Sequence, residues 1–272
     1  MSVIAMLSAK ASPGVSTTVA ALATQWPGPV LVADADPQGG DLLAGWAGPW
    51  WVDGSLTAQR SVVSFATATR HLDAVPAASL AGHVQPVPEL PQVRLLAGVR
   101  DRAQAEAVGT AGWRRLAYAL RDVSDDGEPD VLVDLGRHQP EATPWVLAEQ
   151  ADLVLLALRP TLRHLRASLP LAETLTNRLP VSQLGAAVLA SDADKASSIS
   201  QTLELPLRMR LPDDAGTARF FSDGLLERRS RRQPLLGAAR QTAHQFHVED
   251  RPNSTSPAHH DAEVAAETGA TA

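Results

Sequence analysis

The chain reads as an α/β protein: one domain with a mostly parallel β-sheet covered by helices on both faces. Three observations predict this. Apolar runs of strand length recur at residues 2–7, 30–33, 93–97, 131–134, 153–158, 184–189 and 207–211. Helical patterns fall between them, and strand–helix alternation is what parallel strands joined by crossovers require. Hydrophobic residues make up 44% of the 272-residue chain, enough to fill a sizeable core.

The elements follow in order. Residues 19–26 are helical after the first strand. A loop is expected at 46–51, around Gly48-Pro49, and a helix at 55–70. Residues 71–90 are proline-rich with little periodicity and read as an irregular connection. Across 102–121, Trp113, Leu116, Ala117 and Leu120 share one side at helical spacing. Residues 161–179 and 194–203 read as crossover helices, and 217–226 and 234–246 as closing ones. The domain is expected to end at residue 247. From 248 to 272, Pro, Ser, Thr, Asp, His and Ala dominate, which predicts a disordered tail. No internal repeat is visible.

Composition narrows the function classes. Aromatic residues are only 4%, so the core must be built from Ala, Leu and Val. Cysteine is absent, which removes disulfides and thiolate metal sites. No stretch reads as a secretory signal or reaches the ~18 apolar residues of a membrane span, so a cytoplasmic protein is expected. A net charge of −6 argues against a protein that coats nucleic acid with its whole surface. The His259-His260 pair shows no metal-ligand spacing.

Two segments carry the chemistry. Lysine occurs only twice, and Lys10 opens the run Lys10-Ala11-Ser12-Pro13-Gly14-Val15-Ser16-Thr17-Thr18, between the first strand and its helix. Strand, tight loop and hydroxyl-bearing helix start form a layout that presents backbone N–H groups to a phosphate. The G-x-x-x-x-G-K-[ST] pattern is not met, because Val15 follows Gly14. The plainer reading is a glycine turn into a helix capped by Ser16. The second segment, Asp34-Ala35-Asp36-Pro37-Gln38-Gly39-Gly40, ends a buried-type strand; read plainly, it is an Asp-Pro turn. A third, Asp130-Val131-Leu132-Val133-Asp134-Leu135-Gly136, is an apolar strand ending in an acid and a glycine.

Together these segments resemble the ParA/MinD family of P-loop ATPases, whose deviant Walker A motif reads K-G-G-x-G-K-[ST]-T. The likeness extends in arrangement over roughly residues 1–245 and is sharp only in the three motifs. It implies a P-loop NTPase domain that binds ATP and Mg²⁺. Ser12, Pro13, Gly14, Val15, Ser16 and Thr17 would line the phosphates; Ser16, Asp34 and Asp134 would serve the metal. Asp36 would orient the attacking water, and Lys10 would reach a partner's nucleotide across a homodimer. The role implied is a positioning or partitioning switch, such as chromosome partitioning.

Departures from the pattern temper the activity. Val15 stands where the family places its phosphate-binding lysine, and Ala11 and Ser12 replace two glycines. Losing that cation predicts hydrolysis weaker by about a thousandfold. Residues 189–192, Leu-Ala-Ser-Asp, lack the Asn that many relatives hold near the base. Two alternatives stay open: a nucleotide-free pseudo-ATPase scaffold for a protein partner, and an active partition or pilus-assembly ATPase in which Lys10 acts in trans. Arg219, Arg228, Arg229, Arg231, Arg232 and Arg240 are candidates for non-specific DNA contacts, diluted by Asp223 and Glu227. The small apolar face of 234–246 favours packing on the sheet over a membrane.

Overall fold

Strands β1 (Val3–Ser8), β2 (Val30–Asp34), β3 (Gln85–Val87), β4 (Leu90–Leu96), β5 (Asp130–Arg137), β6 (Leu153–Leu158), β7 (Leu184–Leu189) and β8 (Leu207–Leu211) form one eight-stranded sheet in the computed structural model. The structure describes residues 2–10, 13–73, 75–125, 129–190, 192–224 and 233–249. Strand order is β3-β4-β2-β5-β1-β6-β7-β8, parallel except for the antiparallel β3–β4 pair.

Side-chain alternation along each strand feeds two cores. Val3, Ala5 and Leu7 of β1 face one layer, with Leu31 and Ala33 of β2 and Val131, Val133 and Leu135 of β5. Ile4 and Met6, Val30 and Val32, and Leu132 face the other. Helices α1 (Val15–Thr24), α2 (Gly48–Val52), α3 (Val62–Ala68), α4 (Arg102–Asp125), α5 (Trp145–Glu149), α6 (Leu162–Arg178), α7 (Ala193–Leu203), α8 (Ala215–Asp223) and α9 (Pro234–Glu249) cover these faces. The first core takes its helical side chains from α3 to α7, the second from α1, α8 and α9.

The α9 face predicted to pack does so: Leu235, Ala239, Ala243 and Phe246 are all buried. A polar clamp fixes this helix. The buried Asp130 carboxylate accepts from Ser2 N–H (2.9 Å) and Trp26 Nε1–H (2.9 Å), and its Oδ2 lies 2.7 Å from His247 Nδ1. No described helix is long and apolar enough to cross a membrane.

All seven predicted strands are present, and the differences lie in the connections. The helix expected over 55–70 shrinks to α3. Ser61 is extended there, and its carbonyl-side neighbour Val62 donates its N–H to the Ala97 carbonyl, so the helix can start only after this bridge. A reciprocal Ser61–Ser64 capping box marks the start. The Gln85 amide bonds Thr57 and Arg60 and shapes the preceding loop. The proline-rich connection holds a one-turn helix at Ala77–Leu80 and the unforeseen β3, where Pro86 is tolerated because the strand is an edge. The expected 46–51 loop overlaps α2, which has Pro49 in its first turn and runs on to Val52. Helix α4 is broken at Gly109, whose φ of 64° and ψ of 171° are not helical. The predicted tail lies outside the described residues, except that α9 continues to residue 249.

A cleft at the carboxyl edge of the sheet as candidate functional site

Strand order decides where a ligand can enter. From β1 the chain crosses by α1 to β2, on one side of β5; from β5 it passes over β1 to β6 on the other side. The loops after β1 and β5 therefore diverge, and in open α/β sheets the crevice so formed is the usual ligand site.

A cleft of about 210 Å³ opens there, lined by Ser8, Pro13 to Thr17, Asp36, Asp41, Gly136, Arg137, Phe221 and Ser222. Gly14 is the N-cap of α1 in a left-handed conformation, φ 108°, and no side chain caps the helix. Ser16 is thus not the cap that a plain turn would use. The Gly14 carbonyl takes the Thr18 N–H at 2.9 Å, so the earlier N–H groups of the helix start beside the cleft without intrahelical acceptors. Val15, the first residue of α1, is buried in the core on that face of the sheet and offers no charge. Ser12 and Ala11 lie outside the described residues.

The acidic turn arrives opposite. Asp36 Oδ1 accepts from Gln38 N–H at 2.8 Å, closing the Asp-Pro turn, while its carboxylate lines the cleft. The turn is compressed: a Cβ on Gly136 (φ 61°) would stand 1.9 Å from Asp36 Oδ2, and one on Gly40 would stand 2.2 Å from Asp34 Oδ2. Only glycine allows these carboxylates their places.

Asp34 and Asp134 are register partners on β2 and β5, both fully buried. Asp34 accepts from Leu42 N–H at 3.1 Å, and Asp134 from Gly136 N–H at 2.8 Å. Asp34 Oδ1 and Asp134 Oδ2 are left without hydrogen-bond partners. Burial raises the pKa of Asp34 well above the usual carboxylate range, and the Asp134 charge adds to the rise. Burial likewise pushes Asp134 up to about 7, against the pull of the Ser16 hydroxyl and Gly136 N–H, with Asp36 and Asp41 raising it further. Asp36 is pushed up to about 6, mainly by burial; Gln38 N–H and the Arg137 charge hold it down. Three carboxylates therefore crowd one corner with little positive charge to balance them.

Of the residues predicted for the site, Pro13, Gly14, Val15, Ser16, Thr17 and Asp36 share the cleft. Asp134 sits just behind it, electrostatically linked to Ser16 and Asp36. Asp34 is deeper, enclosed by Gly40, Leu42 and Gly98. Lys10 is not in this cleft: it is exposed in a neighbouring groove with Leu162, Arg163, Arg166 and Ala167. Sequence reasoning missed Ser8, Asp41, Arg137, Phe221 and Ser222. Arg137 directly follows the Asp134-Leu135-Gly136 motif, and that adjacency was the available signal. Phe221 and Ser222 reach the cleft only through the packing of α8.

The arginine cluster is only partly described. Arg240 donates to Gln25 at 3.1 Å, while Arg228, Arg229, Arg231 and Arg232 lie outside the described residues, as does Glu227.

No protein-family model and no curated protein sequence matches the chain. Solved structures do match its fold. A ParA family ATPase from Chlorobium tepidum TLS superposes with a TM-score of 0.69 at 17% identity, covering 89% of this chain and 98% of that one. The septum site-determining protein MinD from Pyrococcus horikoshii OT3, complexed with Mg-ADP, gives 0.57 at 14% identity, covering 90% and 95%. An ATP complex of a McdA variant from Cyanothece gives 0.62 at 13% identity, covering 91% and 96%. At these identities the likeness establishes the fold: the chain has the ParA/MinD-type P-loop architecture.

Proposed function

We propose that the chain is a nucleotide-dependent switch of the ParA/MinD type. It binds ATP with Mg²⁺ and serves as a positioning or partitioning regulator with weak or absent hydrolysis. The observation that carries this reading is the convergence of an uncapped helix start, Ser16, Asp36 and the Asp134 corner on one cleft at the sheet's carboxyl edge.

In this reading the backbone N–H groups of Gly14 to Thr17 hold the phosphates, aided by the positive end of α1. The metal fits the residues present. The unpartnered oxygen of buried Asp134 and the adjacent Ser16 hydroxyl suit a hard cation. No cluster of three His or acidic side chains surrounds a single point among the described residues. Mg²⁺ takes few protein ligands and completes its shell with water and phosphate. Asp34 supports the metal from behind Asp134, its register partner on the adjacent strand. When bound, Mg²⁺ supplies charge neutralisation to the terminal phosphates. Asp36 orients a water toward the terminal phosphate, its carboxylate fixed by the Gln38 N–H.

Val15 limits turnover, since the loop contributes no ammonium. Exposure of Lys10 beside Arg163 and Arg166 supports a homodimer in which Lys10 serves the partner's nucleotide. Isothermal titration with Mg·ATP tests the reading: saturable binding at submillimolar nucleotide is expected. No heat and no thermal shift at millimolar nucleotide would refute it. A scaffold that has abandoned nucleotide is favoured by the burial of Val15, and it would be supported if Val15→Lys gained binding that the native chain lacked. For the dimer, a Lys10→Ala chain that self-associates with Mg·ATP as the native one does would remove Lys10 from the interface.

A further inference from the structure

Within the nucleotide reading above, we infer that Arg137 is the cation that recognises the terminal phosphate of ATP, standing in from the same subunit for the lysine absent at Val15, and so sets preference for the triphosphate over the diphosphate.

Arg137 is the one cationic side chain among the described residues that line the cleft. Its position follows from an irregularity in β5. Met6 pairs with Asp134, but Ser8 pairs with Arg137, so β5 carries one more residue than β1 over this interval. The extra residue is absorbed at Gly136, which takes φ 61°. A bulge of this kind re-aims the side chain that follows it. Arg137 thereby comes level with Ser8, at the mouth of the loop, and the next residue is tied down by a His138 N–H bond to the Ser8 carbonyl at 2.7 Å.

The guanidinium is also held. With the Gln139 amide oriented to satisfy both groups, its oxygen accepts from Arg137 Nε and Nη2 at 3.0 Å each. Gln139 is itself braced, its N–H donating to Thr143 Oγ1 at 2.8 Å and its carbonyl accepting from Ala142 and Thr143. A guanidinium has five N–H donors, so two bonds to Gln139 leave three for an anion. Such a pre-oriented fork suits the paired oxygens of a phosphate.

Two features place this charge at the terminal phosphate. Arg137 follows Gly136, whose backbone packs against the Asp36 carboxylate, and both side chains line the cleft; in that reading Asp36 is the group that faces the terminal phosphate. The start of α1, which would hold the inner phosphates, follows the adjacent strand β1, so Arg137 beside Ser8 stands at the mouth of the same loop. Among the charged side chains that line the cleft, Asp36 and Asp41 would repel the incoming triphosphate, and Arg137 offsets them.

The test is titration of the full chain with Mg·ATP and Mg·ADP. Arg137→Ala is expected to weaken ATP binding by about tenfold to a hundredfold and ADP binding by less than about threefold. Arg137→Lys, which keeps the charge and loses the fork, should fall between native and alanine for ATP. An unchanged ATP affinity in Arg137→Ala, or equal losses for both nucleotides, would overturn the inference while leaving the nucleotide reading intact. A native chain that binds neither nucleotide removes the reading itself, and this inference with it.

Discussion

Replacing Asp134 by asparagine should make the nucleotide-free protein comparatively more stable as pH rises, although it damages the site. Asp134 is fully buried and its pKa is pushed up to about 7 from an ordinary value of 3.8. Between those values the folded state holds a proton that the unfolded chain has released. Unfolding then releases a proton, so stability falls with increasing pH, by up to about 1.4 kcal/mol per pH unit for one group. From pH 5 to pH 7 the sum is about 2 kcal/mol for Asp134, because titration sets in near the upper end. Asparagine keeps an acceptor for the Gly136 N–H and cannot ionise. His83, His138 and His164, lowered mainly by burial, act in the opposite sense: they bind fewer protons when folded and favour folding as pH rises. They are common to both proteins and cancel in the difference. Asp34 remains buried beside the new amide, so part of the native slope should persist in the variant. The assay is urea unfolding of native and Asp134→Asn chains in chelator at several pH values from 5 to 7. Parallel stability curves would refute the reasoning, since they would mean Asp134 is already ionised in the folded state across that range.

Three further outcomes follow from the geometry. Gly136→Ala should lower stability by about 1–2 kcal/mol through its left-handed backbone, and displace Asp36, whose Oδ2 would be 1.9 Å from the new Cβ; an unchanged melting temperature would contradict this. Asp130→Ala removes the acceptor shared by Ser2, Trp26 and His247 and should cost about 3 kcal/mol or more, read as a lower urea midpoint; a change under about 1 kcal/mol would show that the α9 clamp contributes little. Ser61→Ala breaks the capping box at α3 and should cost about 1 kcal/mol in thermal unfolding, with nucleotide titration unaffected; equal stability would remove the cap from the account.

Legibility tracked the range of the interactions. Strands β1, β2, β5, β6 and β7 could be read directly, because burial on both faces demands apolar runs that nearby residues suffice to show, and β4 and β8 from the apolar residues of their buried side. The loop into α1 and the Asp34–Gly40 turn were equally visible, since tight turning and a helix start impose residue types at fixed spacing. Strand β3 was hidden, because its pairing with β4 is what makes Pro86 and its neighbours a strand. Helix α3 was overextended for a similar reason: the Ser61–Ala97 bridge that delays its start joins residues far apart in the chain.

By itself the sequence determined the alternating architecture, the loop, the acidic turn and the absence of a loop lysine at Val15, each a matter of local patterning. Tertiary structure alone decided that Asp34 and Asp134 share a dry corner, that Lys10 lies in a separate groove, and that a one-residue bulge delivers Arg137 to the cleft. Charge, burial and approach distance depend on which strands become neighbours, and that is a property of the sheet order rather than of any single segment.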